Sequence, residues 1–428
     1  MCRTIKVSLN WQEKDKVLLG FDKDKNPIWG NSEDDIEKKY FVKKFTYGIC
    51  NFKTNNLRLN GNNFFVKGDN LYSLKVLEQD FKNSIKCIYI DPPFNTGKTF
   101  DHYADGLENS LWLSMMKIRL EIMRNLLSED GIIMVHIDDD EMPYLKILMD
   151  EIFWGHSKTY GTKNNSGNHV ATIVWQKKFA PQNDAKFFSD VHDYILVYAK
   201  DISKLKINQL ERTEKQNSRY RNKDNDPRGA WTSSDLTVKT PNPEWVYPIE
   251  LPSGRIVKPA KSRSWGFSKE RFYELVNDNR IWFGENGNSM PRLKRFLSDV
   301  KNGVVPKTIW LREEVGDNSE GKKEIKKFID TGNDVFTTPK PERLLERIIH
   351  IATNEGDWVL DAFLGSGTTC AVAHKMNRKW IGLENGNQLD EICVPRLKAI
   401  VDGTDEGGIT KKVGWQGGGG FVYYEMQP

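Results

Sequence analysis

Short apolar runs alternate with amphipathic stretches of helical spacing at both ends of this 428-residue chain. From Asn63 onward, FFVKGDN, LYSLKVLEQD and IKCIYI form a strand, helix and strand pattern, and a long helical stretch near 107–127 leads into the apolar run IIMVHI. The rhythm returns late in the chain with PKPERLLERIIHIAT, WVLDAF, GSGTTCAVAHKM and WIGLE. Such alternation requires a parallel sheet covered by helices on both faces. The sequence therefore predicts a doubly wound, mostly parallel α/β sheet.

The middle of the chain, from about His156 to Asn333, breaks this rhythm. Pro, Asn, Gly and Trp are frequent there, and strand-like runs such as TIVWQ and DYILVYAK are short. We therefore expect an inserted, mixed α+β domain that divides the α/β domain in two. The expected segments are an N-terminal segment at 1–62, the first half of the α/β domain at 63–155, the insertion at 156–334 and the second half at 335–428.

The basic charge of the chain is concentrated in this insertion. The whole chain carries a net charge of only +4, whereas residues 201–270 contain 14 Lys or Arg against nine Asp or Glu. Aromatic residues lie among the basic ones, and phosphate contact together with base stacking requires that mixture. The alternative is a solvated, loop-rich surface. The basic residues that we expect to contact nucleic acid are Arg219, Arg221, Lys223, Arg228, Lys258, Lys261 and Arg263, and the aromatic residues among them are Tyr220, Trp231, Trp245 and Trp265.

Cysteine usage and hydropathy bear on the compartment. The five cysteines are scattered and never form a C-x-x-C pair, which argues against a disulfide framework or a structural zinc site. The first residues are charged, and no run of about 18 apolar residues occurs, so a signal peptide and a membrane span are disfavoured. We therefore expect a soluble, cytoplasmic protein without a membrane partner.

The segment DAFLGSGT joins a predicted strand to a predicted helix. Gly365 and Gly367 allow a ligand to approach the backbone, and the start of the helix offers unpaired N–H groups to an anionic group. Glu384 ends the next predicted strand, at a spacing typical of an acidic residue that binds ribose hydroxyls. Cys370 stands where a dinucleotide fingerprint requires its third glycine, which disfavours a nicotinamide or flavin cofactor. The pattern indicates a site for an adenosine.

The segment DPPFNTG follows the apolar run IKCIYI directly. Pro92 and Pro93 fix the backbone and lack N–H donors, so neighbouring carbonyl groups are available as acceptors beside the carboxylate of Asp91. Such acceptors can hold an exocyclic amino group and free its lone pair for attack, while Phe94 can stack on the same ring. The alternative is an ordinary proline turn that ends a strand.

Two further patterns point to other chemistry. Gly97 begins a G-K-T tripeptide like the end of a phosphate-binding loop, but that motif requires glycine where this chain has Pro92, which excludes an ATPase of this type. The acidic run DDDE after His136 resembles a two-metal nuclease site. More often, such a run caps the following helix, and that is the expectation here.

Together, the motifs DPPF and AFLGSGT resemble the beta group of S-adenosylmethionine-dependent DNA amino-methyltransferases. In that group D-P-P-[YF] comes first, a target-recognition insertion follows, and F-x-G-x-G comes last, which is the order found here. The stretches DPPFNTG, GIIMVHIDDDEMPYLKILMDEIFWG and GGGGFVYYEM are similar to modification subunits of type III restriction systems. The resemblance covers about 63–155 and 335–428, and it implies a Rossmann-like methyltransferase fold.

The resemblance also implies roles for individual residues. The target-base pocket would be formed by Asp91, Pro92, Pro93 and Phe94. S-adenosylmethionine would be held by Asp69 near its adenine, by Glu384 at its ribose, by Lys340 and Pro341 at its methionine carboxylate, and by Asp361, Phe363, Gly365, Ser366, Gly367 and Thr368 around the rest of the methionine part. No metal is implied.

The function implied is site-specific transfer of a methyl group from S-adenosylmethionine to adenine N6 in double-stranded DNA by base flipping, within or derived from a restriction-modification system. In this family Asp at the position of Asp91 favours adenine, and Ser favours cytosine. A restriction subunit and a homodimer stay open as partners. The alternatives are a cytosine-N4 methyltransferase, a stand-alone or type II-like enzyme, a catalytically idle DNA-recognition subunit, an enzyme acting on RNA or a glutamine amide, and a metal-dependent nuclease.

Overall fold

A computed structural model describes residues 8–95, 108–154, 167–180, 186–300, 303–328 and 338–427. The chain forms two compact units: Met1–Asn208 with Lys307–Pro428, and Gln209–Pro306. Cys2 and the G-K-T tripeptide at Gly97 lie outside the described residues. Within the described ranges, no helix is both long and apolar enough to span a membrane.

The strands are named in chain order. They are β1 (Val17–Phe21), β2 (Pro27–Gly30), β3 (Tyr40–Gly48), β4 (Asn63–Lys67), β5 (Ile85–Ile90), β6 (Leu127–Ile137), β7 (His169–Gln176), β8 (His192–Ala199), β9 (Trp231–Asp235), β10 (Thr237–Val238), β11 (Ile249–Glu250), β12 (Ile256–Val257), β13 (Ser264–Trp265), β14 (Ile281–Trp282), β15 (Arg292–Phe296), β16 (Ile309–Trp310), β17 (Trp358–Asp361), β18 (Lys379–Glu384) and β19 (Gly420–Gln427).

The α-helices are named in the same way. They are α1 (Leu57–Asn60), α2 (Asn70–Phe81), α3 (Asn109–Leu126), α4 (Met142–Ile152), α5 (Glu214–Asn217), α6 (Lys269–Asn277), α7 (Arg312–Val315), α8 (Asn318–Ile325), α9 (Glu342–Ala352), α10 (Thr368–Lys375), α11 (Val394–Val401) and α12 (Thr410–Val413).

The first unit is built on a ten-stranded sheet with the order β16-β7-β8-β6-β5-β17-β18-β4-β19-β3. The strands from β6 to β19 in this order pair in parallel, while β8 is antiparallel to both of its neighbours and β3 is antiparallel to β19. Apolar residues fill the central strands because helices cover the sheet. The α/β class with a mostly parallel sheet is confirmed.

The helix α3 shows how the pattern of apolar residues produces this packing. Trp112, Met116, Leu120 and Met123 recur at intervals of three or four residues, and each is fully buried. A stripe of this kind places one side of the helix against the core. The sequence predicts a helix near 107–127, and the structure has Asn109–Leu126.

The inserted unit is shorter than the predicted 156–334, since it spans Gln209–Pro306. The runs TIVWQ and DYILVYAK lie in β7 and β8, which extend the central sheet through antiparallel pairing beside β6. The short strand β16 returns to the same sheet beside β7. The sequence prediction was too wide because antiparallel strands without intervening helices lack the β-α rhythm, although they belong to the same sheet.

Part of the N-terminal segment also belongs to this sheet. The strand β3 pairs with β19 over its whole length, and the ring of Phe45 stacks on Tyr423 with centroids 4.9 Å apart. The aromatic run FVYYEM after the glycines lies in β19. Sequence patterning does not identify β3 because its partner lies more than 370 residues further along the chain.

The second unit is mixed α+β. A three-stranded sheet with the order β14-β15-β9 and two small strand pairs lie with α6 around an apolar cluster that includes Leu236, Phe272 and Ile281. Trp231 and Trp265 are each only 1% exposed, and their indole N–H groups donate to Asp224 and to the backbone of Tyr247. These two tryptophans therefore stabilise the unit and are not available to stack on bases, contrary to the interpretation of the sequence.

Gly382 in β18 tests the packing of the central sheet. A Cβ atom at this position would lie 2.7 Å from Leu364 and 2.8 Å from Cys370. We expect Gly382→Ala to lower the free energy of unfolding by about 1–3 kcal/mol, because overpacking displaces buried side chains. Chemical denaturation of both proteins measures the difference, and an unchanged midpoint would contradict the packing described.

Candidate active site

The two predicted motifs follow neighbouring strands of the central sheet. The strand β5 ends before Asp91, β17 ends at Asp361, and the two strands pair in parallel with Leu360 opposite Ile88. The strand β6 lies on the other side of β5, and β18 lies on the other side of β17, so the order of the strands reverses at this pair. Parallel sheets bind ligands at such a reversal point, outside the carboxyl ends of the strands. The acidic proline turn and the glycine turn therefore share one edge of the sheet.

The carboxylate of Asp91 has one occupied and one open oxygen. The ammonium of Lys340 lies 2.5 Å from Oδ2. Oδ1 is buried and has no hydrogen-bond partner among the described residues. An uncompensated buried acceptor costs free energy unless a ligand supplies a donor. This oxygen is therefore a candidate acceptor for the hydrogen of a bound amino group.

The side chain of Trp112 holds the proline turn in position. The indole N–H of Trp112 donates to the carbonyl oxygen of Pro93 at 2.8 Å. Trp112 is fully buried in α3, so its position is determined by the core. The carbonyl of Pro93 is thus committed within the protein, although the sequence pattern suggested that carbonyls around the prolines face outward.

The ring of Phe94 lies parallel to the imidazole of His136, with centroids 6.0 Å apart and an interplanar angle of 14°. His136 contacts the hydroxyl of Tyr89 at 3.0 Å and the carboxylate of Asp193 at 3.2 Å. Burial lowers the pKa of His136. Burial opposes ionisation of Asp193, but its bonds to His136 and the charge of Lys177 hold the pKa of this carboxyl well below its usual range. A buried polar network thus supports Phe94.

The glycine turn binds the acidic residue at the end of β18 directly. Gly365 and Gly367 have φ values of +55° and +75°, which favour glycine. The N–H of Gly365 donates to Glu384 at 2.8 Å, and the N–H groups of Asn385 and Gly386 donate to the same carboxylate. A Cβ on Gly367 would lie 3.0 Å from the sulfur of Cys393, so the turn is closely packed.

Asp361 is a buried carboxyl beneath this turn. It accepts hydrogen bonds from the N–H of Phe363 at 3.0 Å and from the hydroxyl of Thr369 at 2.5 Å. Burial raises its pKa to about 7 despite these bonds, and the negative charges of Asp91 and Glu384 act in the same direction.

Residues 85–394 match the DNA methylase family. The chain belongs to this family. It is 34% identical over 414 residues to the probable type III restriction-modification enzyme HindVI Mod subunit of Haemophilus influenzae, covering 86% of this chain and 54% of the relative. It is 32% identical over 416 residues to the type III StyLTI Mod subunit of Salmonella typhimurium, covering 90% of this chain and 59% of the relative. The chain thus spans little more than half the length of these relatives.

A relative of another type and a solved structure are also similar. The type II methyltransferase M.EcaI of Enterobacter cloacae is 28% identical over 339 residues, covering 75% of this chain and 66% of that protein. The M1.HpyAVI-SAM complex has a TM-score of 0.41 at 15% identity, covering 78% of this chain and 98% of that chain.

Two residues of the predicted cofactor site, Lys340 and Asp69, make contacts within the protein. Lys340, expected at the methionine carboxylate of a cofactor, is paired with Asp91 on the side of the proline turn. Asp69 accepts the N–H of Leu71 at 2.7 Å as the N-cap of α2, and Arg119 lies 3.4 Å away. Asp69 thus caps α2, and its side chain is 43% exposed.

Pro341 is the N-cap of α9. The next residue, Glu342, belongs to a buried ionic cluster that sequence analysis missed. It accepts from Arg396 at 2.8 Å and from Lys375 at 2.7 Å. Arg396 also donates to the hydroxyl of Thr368 at 3.0 Å. The cluster therefore holds the residue that follows the glycine turn, Thr368, in position. No local sequence pattern reveals the cluster, because Glu342, Lys375 and Arg396 are separated by 21 to 54 residues.

The acidic run after His136 has more than one role. Asp138 accepts the N–H of Asp140, and burial raises its pKa to about 7. Glu141 lies at the N-cap position of α4 but makes no capping bond, since its carboxylate accepts from Asn95 at 2.7 Å. The run therefore supports the proline turn through Glu141, and the expectation that it caps the following helix is wrong, because α4 has no side-chain capping bond. Among the described residues, carboxylates that could share an ion with a histidine are those of Asp139 and Asp190 beside His192, and both are exposed.

The basic residues of the second unit fall into two groups. Arg228 pairs with Asp226 at 2.9 Å and with Asp278 at 3.1 Å, and Arg263 pairs with Asp235 at 2.7 Å. These two arginines neutralise carboxylates within the unit. The other basic residues in the predicted set are exposed, namely Arg219, Arg221, Lys223, Lys258 and Lys261.

The raised pKa of Asp361 predicts a pH dependence of stability. The protonated form is favoured in the folded protein, so the contribution of this residue is fully present below about pH 4 and is lost as the pH rises towards 7. We expect Asp361→Asn to remove this loss, because the uncharged amide still accepts from the N–H of Phe363 through its oxygen and donates to the hydroxyl of Thr369 through its nitrogen. The free energy of unfolding of Asp361→Asn should exceed that of the parent protein by at most about 4 kcal/mol at pH 8. Urea denaturation of both proteins at pH 4 and pH 8 measures it, and equal differences between the two proteins at both pH values would contradict the assignment.

Proposed function

We propose that this chain transfers a methyl group from S-adenosylmethionine to N6 of adenine in double-stranded DNA, as the modification part of a restriction-modification system. The observation that carries the proposal is the open Oδ1 of Asp91 on a turn that shares its sheet edge with the glycine turn. Membership in the DNA methylase family and similarity to proteins named Mod subunits support it. A restriction subunit, a homodimer and a cytoplasmic location belong to the same proposal.

The residues of the glycine turn suit the cofactor. Gly365 and Gly367 allow a ligand to approach the backbone, and Glu384 lies at the end of the adjacent strand, where an acidic side chain meets ribose hydroxyls. Phe363 and Ser366 belong to the same buried turn, and Asp69 lies at the start of α2, whose Asn70 donates to the carbonyl of Ala362 at 2.8 Å. The cofactor supplies a methyl carbon activated by a positively charged sulfur.

In this mechanism, the protein positions the adenine amino group relative to the methyl donor. Asp91 accepts a hydrogen of the adenine amino group through Oδ1, and Phe94, supported by His136, offers an aromatic face to the extruded base. The amino nitrogen would take the methyl group as the carbon–sulfur bond breaks to leave a neutral thioether, and its surplus proton would pass to the acceptor that faces it, Oδ1 of Asp91. Correct orientation of two bound reactants accounts for most of the rate enhancement in such a transfer.

The base must leave the duplex before this step, which costs a few kcal/mol in pairing and stacking. Stacking beside Phe94 and contacts to the DNA backbone offset this cost. The exposed basic residues of the second unit support the second contribution, because lysine and arginine side chains bind phosphates. The motif D-P-P-F, which begins at Asp91, favours adenine over cytosine as the target.

Expression of the chain in a host without DNA methylation, followed by genome-wide mapping of modified bases, tests the proposal. Methyladenine at one sequence motif is the expected result. Methylcytosine would instead support the cytosine-N4 alternative. Binding of S-adenosylmethionine without any modified base would support an idle recognition subunit.

Asp91→Ala is the first test of the mechanism. We expect methyl transfer to fall by at least about 100-fold, because the oriented acceptor for the amino group is lost. Affinity for DNA and for S-adenosylmethionine should stay within about threefold of the parent protein. Transfer of a labelled methyl group to host DNA measures the rate.

Asp139→Ala is the matched control for Asp91→Ala, because it removes another aspartate that follows a strand of the same sheet. Its rate should be unchanged, and a chelator should not affect either protein. A loss of activity in Asp139→Ala or in chelator would favour the metal-dependent alternative. Retained activity in Asp91→Ala would remove the assignment of Asp91.

The combined variant Arg219→Ala and Arg221→Ala tests the DNA interface. Each phosphate contact that is lost should reduce the slope of log affinity against log salt by about 0.9. Filter binding at several salt concentrations measures the slope. Arg228→Ala is the control, since this arginine is paired with Asp226 and Asp278, so we expect lower stability and an unchanged slope. Equal slopes in all three proteins would contradict the interface.

A further inference from the structure

We propose that Lys340 is a specificity-determining residue that donates a hydrogen bond to ring nitrogen N1 of the extruded adenine. This inference rests on the proposed function and assigns the lysine to the target base rather than to the cofactor. The ammonium group of Lys340 lies between two parts of the proposed base pocket, Asp91 and Phe94.

Lys340 is nearly buried, with a side-chain exposure of 6%, and its nitrogen lies 2.5 Å from Oδ2 of Asp91. The same nitrogen lies 5.3 Å from the centre of the Phe94 ring. The ammonium is therefore placed beside both the acceptor that would bind the amino group and the ring that would stack on the base. These contacts lie on the side of the proline turn.

The pair of side chains offers a donor next to an acceptor. An ammonium has three N–H donors, and in the described part of the chain Asp91 is the single polar partner of Lys340. The neighbouring Oδ1 of Asp91 is buried and lacks a donor. Both deficits are removed together by a ligand that presents a hydrogen-bond donor beside an acceptor.

The Watson–Crick edge of adenine has this arrangement. Its N6 amino group is a donor, and the adjacent N1 is an acceptor. Guanine and hypoxanthine carry a hydrogen on N1, which would face the donors of Lys340, and thymine has N3–H between two carbonyl groups. Enzymes that act on extruded bases recognise them through this edge. The Asp91–Lys340 pair therefore selects bases with an amino group next to an unprotonated ring nitrogen.

The experiment uses duplex oligonucleotides that carry adenine or 1-deazaadenine at the mapped methylation site. The analogue keeps the amino group and replaces N1 with C–H. For the parent protein we expect kcat/KM to be about 10- to 100-fold lower on the analogue, because a charge-assisted hydrogen bond is lost. In Lys340→Met the two substrates should differ by less than about threefold. Lys340→Arg, which keeps a donor, should retain most of the discrimination.

The ratio of kcat/KM on adenine to kcat/KM on 1-deazaadenine distinguishes a hydrogen bond to N1 from a general disturbance of the active site. Misplacement of Asp91 would slow the reaction of both substrates equally and leave this ratio unchanged. If methyl transfer by Lys340→Met is too slow to measure, the discrimination is measured instead as the ratio of Kd values for the two duplexes. The target base is then mispaired, because a mispaired base is easier to extrude. An unchanged ratio in Lys340→Met would overturn the proposal. An unchanged ratio together with weaker binding of S-adenosylmethionine would place the lysine at the cofactor instead. Failure of the parent protein to methylate adenine would overturn the proposed function itself.

Discussion

The parallel pairing of β5 with β17 is the constraint on which the site depends. Because the two strands are neighbours and run in the same direction, the residues that follow them emerge at one edge of the sheet. The chain order reverses at this pair, and parallel sheets bind ligands outside the carboxyl ends of the strands at such a reversal. The proline turn and the glycine turn are separated by about 270 residues of sequence, and this pairing places them at the same edge.

Charged groups at this edge are arranged around a few buried contacts. Asp91 is paired with Lys340, and Asp361 lies beneath the glycine turn with a raised pKa. Glu384 is held by backbone N–H groups of the turn that it faces. Buried charges are costly unless they are paired or hydrogen-bonded. Among the described residues, the buried carboxylate oxygens without a partner are Oδ1 of Asp91 and Oε2 of Glu141. The oxygen of Asp91 belongs to the carboxylate that pairs with Lys340, which is why we propose that a ligand binds there.

The structure also shows that residue type alone does not define a role. Trp231 and Trp265 have the aromatic rings that base stacking requires, but both are buried in the second unit. Arg228 has the charge that phosphate contact requires, but it neutralises aspartates within its own unit. In both cases, the sequence pattern predicted an exposed surface because composition does not distinguish a basic, aromatic surface from a stable core with charged pairs around it.

Local sequence patterns predict the α/β class, the proline and glycine turns and the helices on either side of them. These features follow from local periodicity and from the backbone properties of glycine and proline, which act over a few residues. Only the folded structure shows that Lys340 meets Asp91, that Glu342 and Arg396 support the glycine turn, and that β7 and β8 extend the central sheet. Those contacts join residues far apart in the chain, and the order of strands in the sheet, which no local pattern encodes, determines which of them meet.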